Sequence, residues 1–458
     1  MASETQPSWP TARLGDLAEK VRSGATPKGG QISYLVERQG HALIRSQNVL
    51  DHEFDSEGLA FISEAQAADL RGAEVASDDV LLNITGDGRT FGRACVVPSA
   101  VLPACVNQHV MLVRVDRSRL HPHFLASWLA LSETKEYIES FNAGGSRRAI
   151  TKGHIERFEV PLPPFAVQEA IGSLAAVINR RVESLRQTNA TLEAIAQALF
   201  KSWFVDFDPV RAKADGREPE GMDAATAALF PSEFEASELG LIPRGWTIAR
   251  LDEHVEAERG LSYKGAGLAD QESGLPMHNL NSVLEGGGYK YAGIKFYKGD
   301  FKERHIAQAG DVVVANTEQG HHHRLIGFPA IVPRKFQRGL FSHHLYRVRI
   351  RDDSPITRHW IYRALMAPRV RDQIAGCANG STVNMLKPAG LQIPRFVLPP
   401  GPLCEKFEGL AVALHDRMET NVDLADSLAA LRDTLLPRLI SGKLRLPEAE
   451  KLIEEAVA

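Results

Sequence analysis

Short apolar runs, bounded by Gly, Pro or polar residues, dominate two stretches of the chain, 1–163 and 244–398. Runs of this length that end at turn-forming residues predict β-strands. In both stretches an aromatic-rich segment with helical character follows the strand-like runs, at residues 124–131 and 360–366. The pattern therefore predicts an α+β fold with two similar modules, each a mixed, β-rich α/β structure.

The two modules repeat one another. Six short motifs recur in the same order roughly 235 residues apart, which is the sequence signature of a duplicated architecture. The chain therefore contains a pseudo-two-fold internal repeat. The matching pairs are 79–82 with 311–314, 95–98 with 330–333, 106–109 with 341–344, Gly145-Ser146 with Gly380-Ser381, Lys152 with Lys387, and 160–164 with 396–400.

A long stretch with heptad spacing follows the Pro-Pro motif of each repeat. A sustained period of 3.5 residues is typical of a coiled-coil seam, and a polar Asn421 in the seam would set the register. Two amphipathic helices buried in separate cores are the alternative. Arg181 and Arg417 would repel if they faced each other, which favours an antiparallel pair. One seam position holds Ile171, Ile178, Leu185, Leu192, Leu199, Phe407, Leu414, Asn421, Leu428 and Leu435; the companion position holds Leu174, Arg181, Thr188, Ile195, Ser202, Leu410, Arg417, Leu424, Leu431 and Arg438.

The predicted layout alternates modules and helices. Between the first helix and the second module lies a segment rich in acids, Ala and Pro, which indicates a connector. Long helices of this kind would act as a ruler that fixes the separation of the two modules on a bipartite target. The predicted boundaries are 1–163 for the first module, 164–207 for the first helix, 208–243 for the connector, 244–398 for the second module, 399–445 for the second helix and 446–458 for the tail.

Composition narrows the class of protein. The chain has 458 residues, is 44% hydrophobic and 24% charged, and has 4 scattered cysteines, which excludes a disulfide scaffold. Neither a signal-peptide pattern nor an apolar run of about 20 residues is present. A cytoplasmic, reduced protein is expected.

The charge distribution along the chain indicates a polyanionic binding partner. The net charge is −4, yet the segment from Arg334 to Arg371 contains many Lys and Arg residues against only Asp352 and Asp353. Because binding to nucleic acid depends on the local field, this segment predicts a basic binding surface.

Catalytic motifs are missing from the sequence. It has no phosphate-binding loop, no dinucleotide fingerprint and no Asn-Pro-Pro-aromatic motif of an amino-methyltransferase. Asp116 with Glu133-Thr134-Lys135 could form a nuclease-like pattern, although a solvated helix explains it better. The run His321-His322-His323 could hold a metal, although adjacent histidines fit a polar loop better. We therefore predict a non-catalytic chain without cofactor or metal of its own.

The layout and three motifs resemble the specificity subunits of Type I restriction-modification systems. The motifs are the Pro-rich exits into the long helices (161–168 and 399–405), the run FKSWFVDFDP at 200–209, and LLPRLISGKL at 435–444. The resemblance implies two target-recognition domains that bind a bipartite double-stranded DNA sequence, and conserved spacer helices that dock other subunits. It implies two adenine-N6 methyltransferase subunits and a restriction motor-nuclease as partners, and no membrane. S-adenosylmethionine, ATP and Mg belong to those partners.

Two surfaces are candidate binding sites. Two polar loops recur in each repeat while differing in sequence, as expected of DNA-recognition loops. The aromatic residues at the end of the first helix could dock a subunit or could pack locally. A self-contained DNA methyltransferase or nuclease, and a protein-only coiled-coil adaptor, are the competing functions. The candidate DNA contacts are Arg89, Thr90, Ser146, Arg147, Arg148 and Lys152 in the first module, and Gln319, His321, His322, His323, Arg324, Ser381, Thr382, Asn384 and Lys387 in the second; the weaker ones are Lys28, Arg45, Gln47, Asn48, Lys264 and Asn279; the docking candidates are Phe200, Trp203, Phe204 and Phe207.

Overall fold

The structure, a computed structural model, describes residues 9–87, 90–142, 148–319, 322–380, 383–449 and 451. The chain divides into two compact units. Unit 1 comprises Met1–Leu185 and Leu424–Ala458, and unit 2 comprises Arg186–Asp423. Each unit thus contains one of the repeats together with a part of each of two long helices.

Unit 1 contains short strands and short helices before the first long helix, α6, which continues into unit 2. The strands are β1 (Thr11–Arg13), β2 (Ala18–Ser23), β3 (His41–Ile44), β4 (Ala60–Ile62), β5 (Glu74–Val75), β6 (Val80–Asn83), β7 (Thr85–Gly86), β8 (Ala94–Val96), β9 (Ala104–Val106), β10 (Val110–Val115), β11 (Arg148–Ala149) and β12 (Glu159–Pro161). The helices are α1 (Leu14–Leu17), α2 (Glu64–Asp69), α3 (Pro122–Leu129), α4 (Ser132–Glu139), α5 (Lys152–Ile155) and α6 (Phe165–Phe204).

Two four-stranded sheets form the first module. One is antiparallel with strand order β2-β10-β6-β8, and the other has the order β4-β3-β9-β5 with β3 parallel to β9. Both faces of β6 and β10 are buried: Leu81 and Leu112 face the second sheet, while Val80 and Val113 face α3 and the long helices of this unit. Alternating side chains of a strand point to opposite faces, so these strands are apolar on both sides.

Unit 2 repeats this design after a connector. Its strands are β13 (Phe234–Ser237), β14 (Gly240–Pro243), β15 (Thr247–Arg250), β16 (Val255–Arg259), β17 (Leu268–Ala269), β18 (Leu275–His278), β19 (Lys295–Tyr297), β20 (Ile306–Gln308), β21 (Val312–Ala315), β22 (Thr317–Gln319), β23 (Pro329–Ile331), β24 (Arg338–Phe341), β25 (Leu345–Ile350), β26 (Val383–Met385) and β27 (Arg395–Leu398). Its helices are α7 (Asp208–Ala214), α8 (Ala224–Ala228), α9 (Arg358–Ala364), α10 (Pro368–Gly376), α11 (Pro388–Gln392) and α12 (Gly401–Ile440), and α12 ends in unit 1.

The sheets of the second module follow the same order as those of the first. The sheet β16-β25-β21-β23 corresponds to β2-β10-β6-β8, and in the sheet β17-β19-β18-β24-β20 the strands β18 and β24 are again parallel. Val313 and Leu345 face one core, while Val312 and Val348 face the other. The prediction of an α+β fold with a duplicated β-rich module is therefore confirmed.

The acidic connector is folded. It contains α7, α8 and the hairpin β13–β14, and it contributes Val210 and Phe230 to the core of unit 2. Local composition indicated a connector but not its fold, because its buried apolar residues are few and far apart.

The two long helices pack antiparallel in each unit. In unit 1, Ile178 and Val182 cluster with Leu428, and Arg432 Nη1 donates to Asn179 Oδ1 at 2.8 Å. In these contacts the earlier residues of α6 meet the later residues of α12, which fixes the opposite directions of the two segments.

The same direction holds for the helical segments of unit 2. Phe200 lies 5.6 Å from Phe407 between ring centroids, whereas Asn189 contacts Asn421 and Met418. The alternative of two helices in separate cores is therefore wrong.

The companion seam position lies one residue further along each helix than the sequence pattern indicated. Arg181, Thr188 and Ile195 are exposed, and Arg417 is exposed as well. The pattern was misleading because several of the true seam residues are small alanines, which give a weak apolar signal. The residues at this position are Ala175, Val182, Asn189, Ala196 and Trp203 in α6 and Ala411, Met418, Ala425, Arg432 and Leu439 in α12.

Asn421 has the register-setting role predicted for it. Its Nδ2 donates to Asn189 Oδ1 at 2.8 Å, and Asn189 Nδ2 donates to the Met418 carbonyl at 3.0 Å. A buried amide pair satisfies its hydrogen bonds in only one alignment of two helices, so it selects register at a cost in stability.

We expect Asn421→Leu to lower the free energy of unfolding by about 2 kcal/mol, because it leaves the Asn189 oxygen without its donor. The double variant Asn189→Leu/Asn421→Leu should have a free energy of unfolding equal to or higher than that of the wild type, since two apolar side chains replace the amide pair. Equilibrium urea unfolding measures both. A double variant as unstable as the single one would contradict the role of the pair.

Candidate nucleic-acid interface

A short two-stranded ladder joins the two candidate loops of the first module. Strand β7 leaves the buried strand β6, and it pairs antiparallel with β11 so that Arg148 lies opposite Gly86 and Ala149 opposite Thr85. The backbone N–H of Ile150 also donates to the Ile84 carbonyl at 3.0 Å. Two segments about 60 residues apart in sequence are thereby placed side by side; we call this pairing the first ladder.

The second module has an equivalent pairing, which we call the second ladder. Strand β22 follows the buried strand β21 and pairs with β26, with Glu318 opposite Asn384 and Gln319 opposite Val383. The N–H of Leu386 donates to the Asn316 carbonyl at 2.8 Å, as Ile150 does in the first module. A two-stranded ribbon of this size fits the major groove of duplex DNA.

A threonine–histidine hydrogen bond attaches each ladder to the main sheet of its module. Thr85 Oγ1 and His109 Nδ1 are 2.6 Å apart, and Thr317 Oγ1 and His344 Nδ1 are 2.9 Å apart. The two histidines lie in motifs that repeat in the sequence, at 106–109 and 341–344, but the sequence pattern indicated no role for them. Their recurrence at the same place in both repeats was the signal that could have identified them.

The described candidates of the first module surround the first ladder. The hydroxyl and the N–H of Thr90 both donate to Asp87 Oδ1 at 3.0 Å. Arg148 forms an ion pair with Glu139 at 2.9 Å, and the exposed Lys152 begins α5. The ladder therefore presents a hydroxyl and two cations. Arg89, Ser146 and Arg147 lie outside the described residues and stay predictions.

In the second module the structure brings most of the described candidates to the surface near the second ladder. Gln319, His322, Arg324 and Lys387 are exposed, and His323 is half-buried. His321, Ser381 and Thr382 lie outside the described residues.

Asn384 requires a correction. Its side chain is 3% exposed, because it lies opposite Glu318 on the inner side of the ladder, so a base contact by its amide is not supported. Among the weaker candidates, Asn48 and Asn279 are also buried and donate to backbone carbonyls of their own module.

The aromatic residues at the end of α6 also require a correction. Phe200, Trp203, Phe204 and Phe207 are buried in the core of unit 2, where they pack against Phe407, Trp360, Phe230 and Trp246. Their rings provide packing energy to the module and leave little surface for a partner. Local packing is what the structure shows for these four residues.

The basic segment 334–371 does not form an uncompensated positive surface. Arg347, Arg363 and Arg371 are buried, and Arg363 is held by Glu193 with N–O distances of 2.6 and 2.8 Å. The local field predicted from sequence is therefore largely neutralised, since acids distant in sequence fold against these cations. The paired cations are Arg334 with Asp423, Arg338 with Glu303, Arg347 and Arg349 with Glu258, and Arg351 with Glu256.

Two buried groups hold the loop 322–326: Glu318, which the sequence did not single out, and Arg371 of the basic segment. Glu318 Oε1 accepts a hydrogen bond from the Arg324 N–H at 2.9 Å, and its Oε2 accepts from Leu325 and Ile326 at 3.1 Å. Arg371 donates to the carbonyls of Ile326 and His323 at 2.7 and 3.1 Å. Carboxylate and guanidinium thus satisfy the backbone groups of the loop, which we call the clamped loop.

We expect the clamp to make the second module sensitive to acid. Burial alone raises the pKa of Glu318, but the three N–H donors outweigh it and hold the pKa below its usual value. A carboxylate with a lowered pKa adds stability that is present above its ordinary pKa and is lost as the pH falls.

We expect Glu318→Gln to lower the free energy of unfolding at pH 7 by about 2 kcal/mol, because the neutral amide turns an N–H₂ group toward backbone donors. Between neutral pH and pH 3, the free energy of unfolding of the variant should also decrease less than that of the wild type. Urea unfolding across this pH range measures both effects. Glu303→Gln, at an exposed ion pair with Arg338, is the control. Equal acid dependence in Glu318→Gln and the wild type would refute the clamp.

The residues of the nuclease-like pattern and the possible metal ligands were located in the described part of the chain. No group of three or more His, Cys, Asp or Glu residues there could hold a metal ion. The nuclease-like residues are used elsewhere: Lys135 forms an ion pair with Asp51, and Asp116 accepts from Ser118. Among the described helices none is long and apolar enough to cross a membrane.

Comparison with known proteins shows which class of protein the chain resembles. Residues 7–194 match the family model of the Type I restriction modification DNA specificity domain. The MjaIX specificity subunit of a Type I restriction enzyme from Methanocaldococcus jannaschii is 23% identical over 316 residues, which are 68% of this chain and 67% of the relative. The HindI specificity subunit from Haemophilus influenzae is 24% identical over 411 residues, which are 77% and 84% of the two chains.

The fold agrees with this class. A crystal structure of the Type I restriction-modification system S subunit from M. genitalium superimposes with a TM-score of 0.52 at 12% identity and covers 96% of this chain and 98% of that one. Residues 7–194 thus match a DNA specificity domain, and the chain as a whole is similar to specificity subunits of Type I restriction enzymes.

Proposed function

We propose that this chain recognises a bipartite double-stranded DNA sequence, with one half bound at each ladder. The equivalent ladders carry the proposal: both modules place two polar segments side by side on the same framework, while the residues they present differ. A shared framework with unlike side chains suits two recognition sites for unlike sequences. Thr90, Arg148 and Lys152 would contact one half-site, and Gln319, His322, His323, Arg324 and Lys387 the other. Arg89, Ser146, Arg147, His321, Ser381 and Thr382 remain proposed contacts.

The chain would also recruit two adenine-N6 methyltransferase subunits and a restriction motor-nuclease, which bring S-adenosylmethionine, ATP and Mg. Exposed aliphatic residues on the long helices support a docking role for these faces: Val177 in unit 1, and Ile195 and Leu410 in unit 2. Contact with a partner subunit would remove the apolar surface of these side chains from water.

Single-molecule sequencing of host DNA, with and without this gene, tests the proposal. We expect adenine methylation at one split motif to disappear when the gene is removed and to return when it is restored. Unchanged methylation at every motif would contradict the proposed function.

A further inference from the structure

Two aliphatic side chains of the first module are almost fully exposed to solvent. Ile32 is 99% exposed and Val36 is 97% exposed, and both lie in the segment 26–38, which we call the apolar loop. Single exposed apolar residues are common in proteins, but two branched side chains almost fully in water within five positions are not explained by the folding of this module.

The backbone of the apolar loop is anchored, so the two side chains are displayed by a fixed segment. Gln66 Nε2 donates to Ser33 Oγ at 3.0 Å, and the N–H of Leu35 donates to the Phe61 carbonyl at 2.9 Å. At the end of the loop the Arg38 guanidinium donates to three consecutive carbonyls, those of residues 100–102, at 2.7 to 3.2 Å.

A chain of hydrogen bonds connects the apolar loop to the first ladder. Thr26 Oγ1 donates to Gln108 Oε1, the Gln108 amide lies 3.3 Å from His109 Nε2, and His109 Nδ1 is bonded to Thr85 of β7. The start of the apolar loop, at Thr26, is therefore tied to the first ladder through Gln108 and His109.

We propose that Ile32 and Val36 make apolar contacts with the bases of the first DNA half-site. The inference rests on the proposed function. DNA offers two apolar features to such side chains, the thymine methyl group in the major groove and the faces of unstacked bases. A protein partner fits less well: stable protein interfaces bury about 1,600 Å² in total, whereas the exposed Lys28, Gln31 and Glu37 surround these two side chains with polar groups.

The second module does not repeat this feature at the corresponding place. There the segment after Gly260 forms strand β17, which pairs with β19, and its Leu268 is 40% exposed. The contact should therefore affect only the half-site bound by the first module.

The test uses the full chain assembled with its modification subunits, and duplex DNA containing the methylated motif found by sequencing. We expect Ile32→Ser/Val36→Ser to weaken binding about 10-fold or more, given the apolar area lost, with unchanged thermal stability and subunit assembly. Leu241→Ser, at an exposed leucine in the β13–β14 hairpin, is the matched control and should bind like the wild type. Mutating the first half-site should abolish the difference in DNA affinity between the variant and the wild type. Mutating the second half-site should not change that difference.

Two modified duplexes separate the possible base contacts. If replacing thymine by uracil weakens binding of the wild type but not of the variant, the contact is to the methyl group. If 2-aminopurine fluorescence rises with the wild type but not with the variant, the side chains unstack a base. The inference would be overturned if the variant bound DNA with the same affinity as the wild type. It would also be overturned if the variant lost subunit assembly but kept DNA binding, or if neither modified duplex changed the result. A wild-type complex without preference for the motif would instead refute the proposed function.

Discussion

Under the proposed function, exchange of residues 1–163 for the equivalent module of a Type I specificity subunit is expected to change one half of the recognised DNA sequence and to leave the other half intact. Each ladder is built entirely from residues of its own module, and the framework under it is repeated in the other module. Because base contacts come from side chains on such surfaces, replacing one module replaces one set of contacts.

The exchange must respect the core of unit 1. Ile171 and Ala175 of α6 and Leu435 and Leu439 of α12 are buried in the same hydrophobic cluster as the first module. A donor module should therefore carry apolar residues of similar volume against these positions, or the chimera will lose stability for reasons unrelated to recognition.

Methylation sequencing of a host that expresses the chimera shows directly which half of the methylated motif has changed. Exchange of residues 244–398 is the matched experiment and should alter only the opposite half of the motif. A change in both halves, or in neither, after either exchange would show that the two modules do not recognise DNA independently.

Gly24→Ala is expected to destabilise unit 1 by about 3 kcal/mol, which corresponds to a fall of roughly 10 °C in the melting temperature. The chain after β2 passes so close to β9 that an added Cβ would overlap the Val106 carbonyl oxygen, and Ala73 Cβ would lie at 3.2 Å. Since the overlap is with backbone, a side-chain rotation cannot relieve it. Gly260 occupies the equivalent place in unit 2, where a Cβ would overlap the carbonyls of Phe341 and Ser342.

Gly153→Ala is the matched control. Gly153 lies within the short helix α5, and the nearest atom to its added Cβ would be Thr151 Oγ1 at 4.0 Å. Alanine favours helix over glycine by up to about 1 kcal/mol, so this variant should melt at or above the wild-type temperature. Calorimetry of the two variants distinguishes close backbone approach from a general intolerance of alanine. A melting temperature of Gly24→Ala equal to that of the control would refute the argument.

Surface predictions from the sequence were only partly correct, for an identifiable reason. Residue type placed Asn384 among the base contacts and Arg347, Arg363 and Arg371 in a basic patch, but all four are buried. Their environment comes from partners such as Glu258 and Glu193, which are at least 89 positions away in sequence. A one-dimensional pattern contains the charge of each group but not the group that neutralises it.

The order of motifs along the chain was sufficient to establish the duplication, the two long helices and the strand-rich modules, because hydrophobic periodicity and turn residues act over a few positions. Only the tertiary structure decided which seam residues face the partner helix, that the aromatic run at the end of α6 is core, and that segments 60 residues apart form one ladder. These features depend on side-chain volume and on contacts between distant segments, which become defined only when the chain is packed.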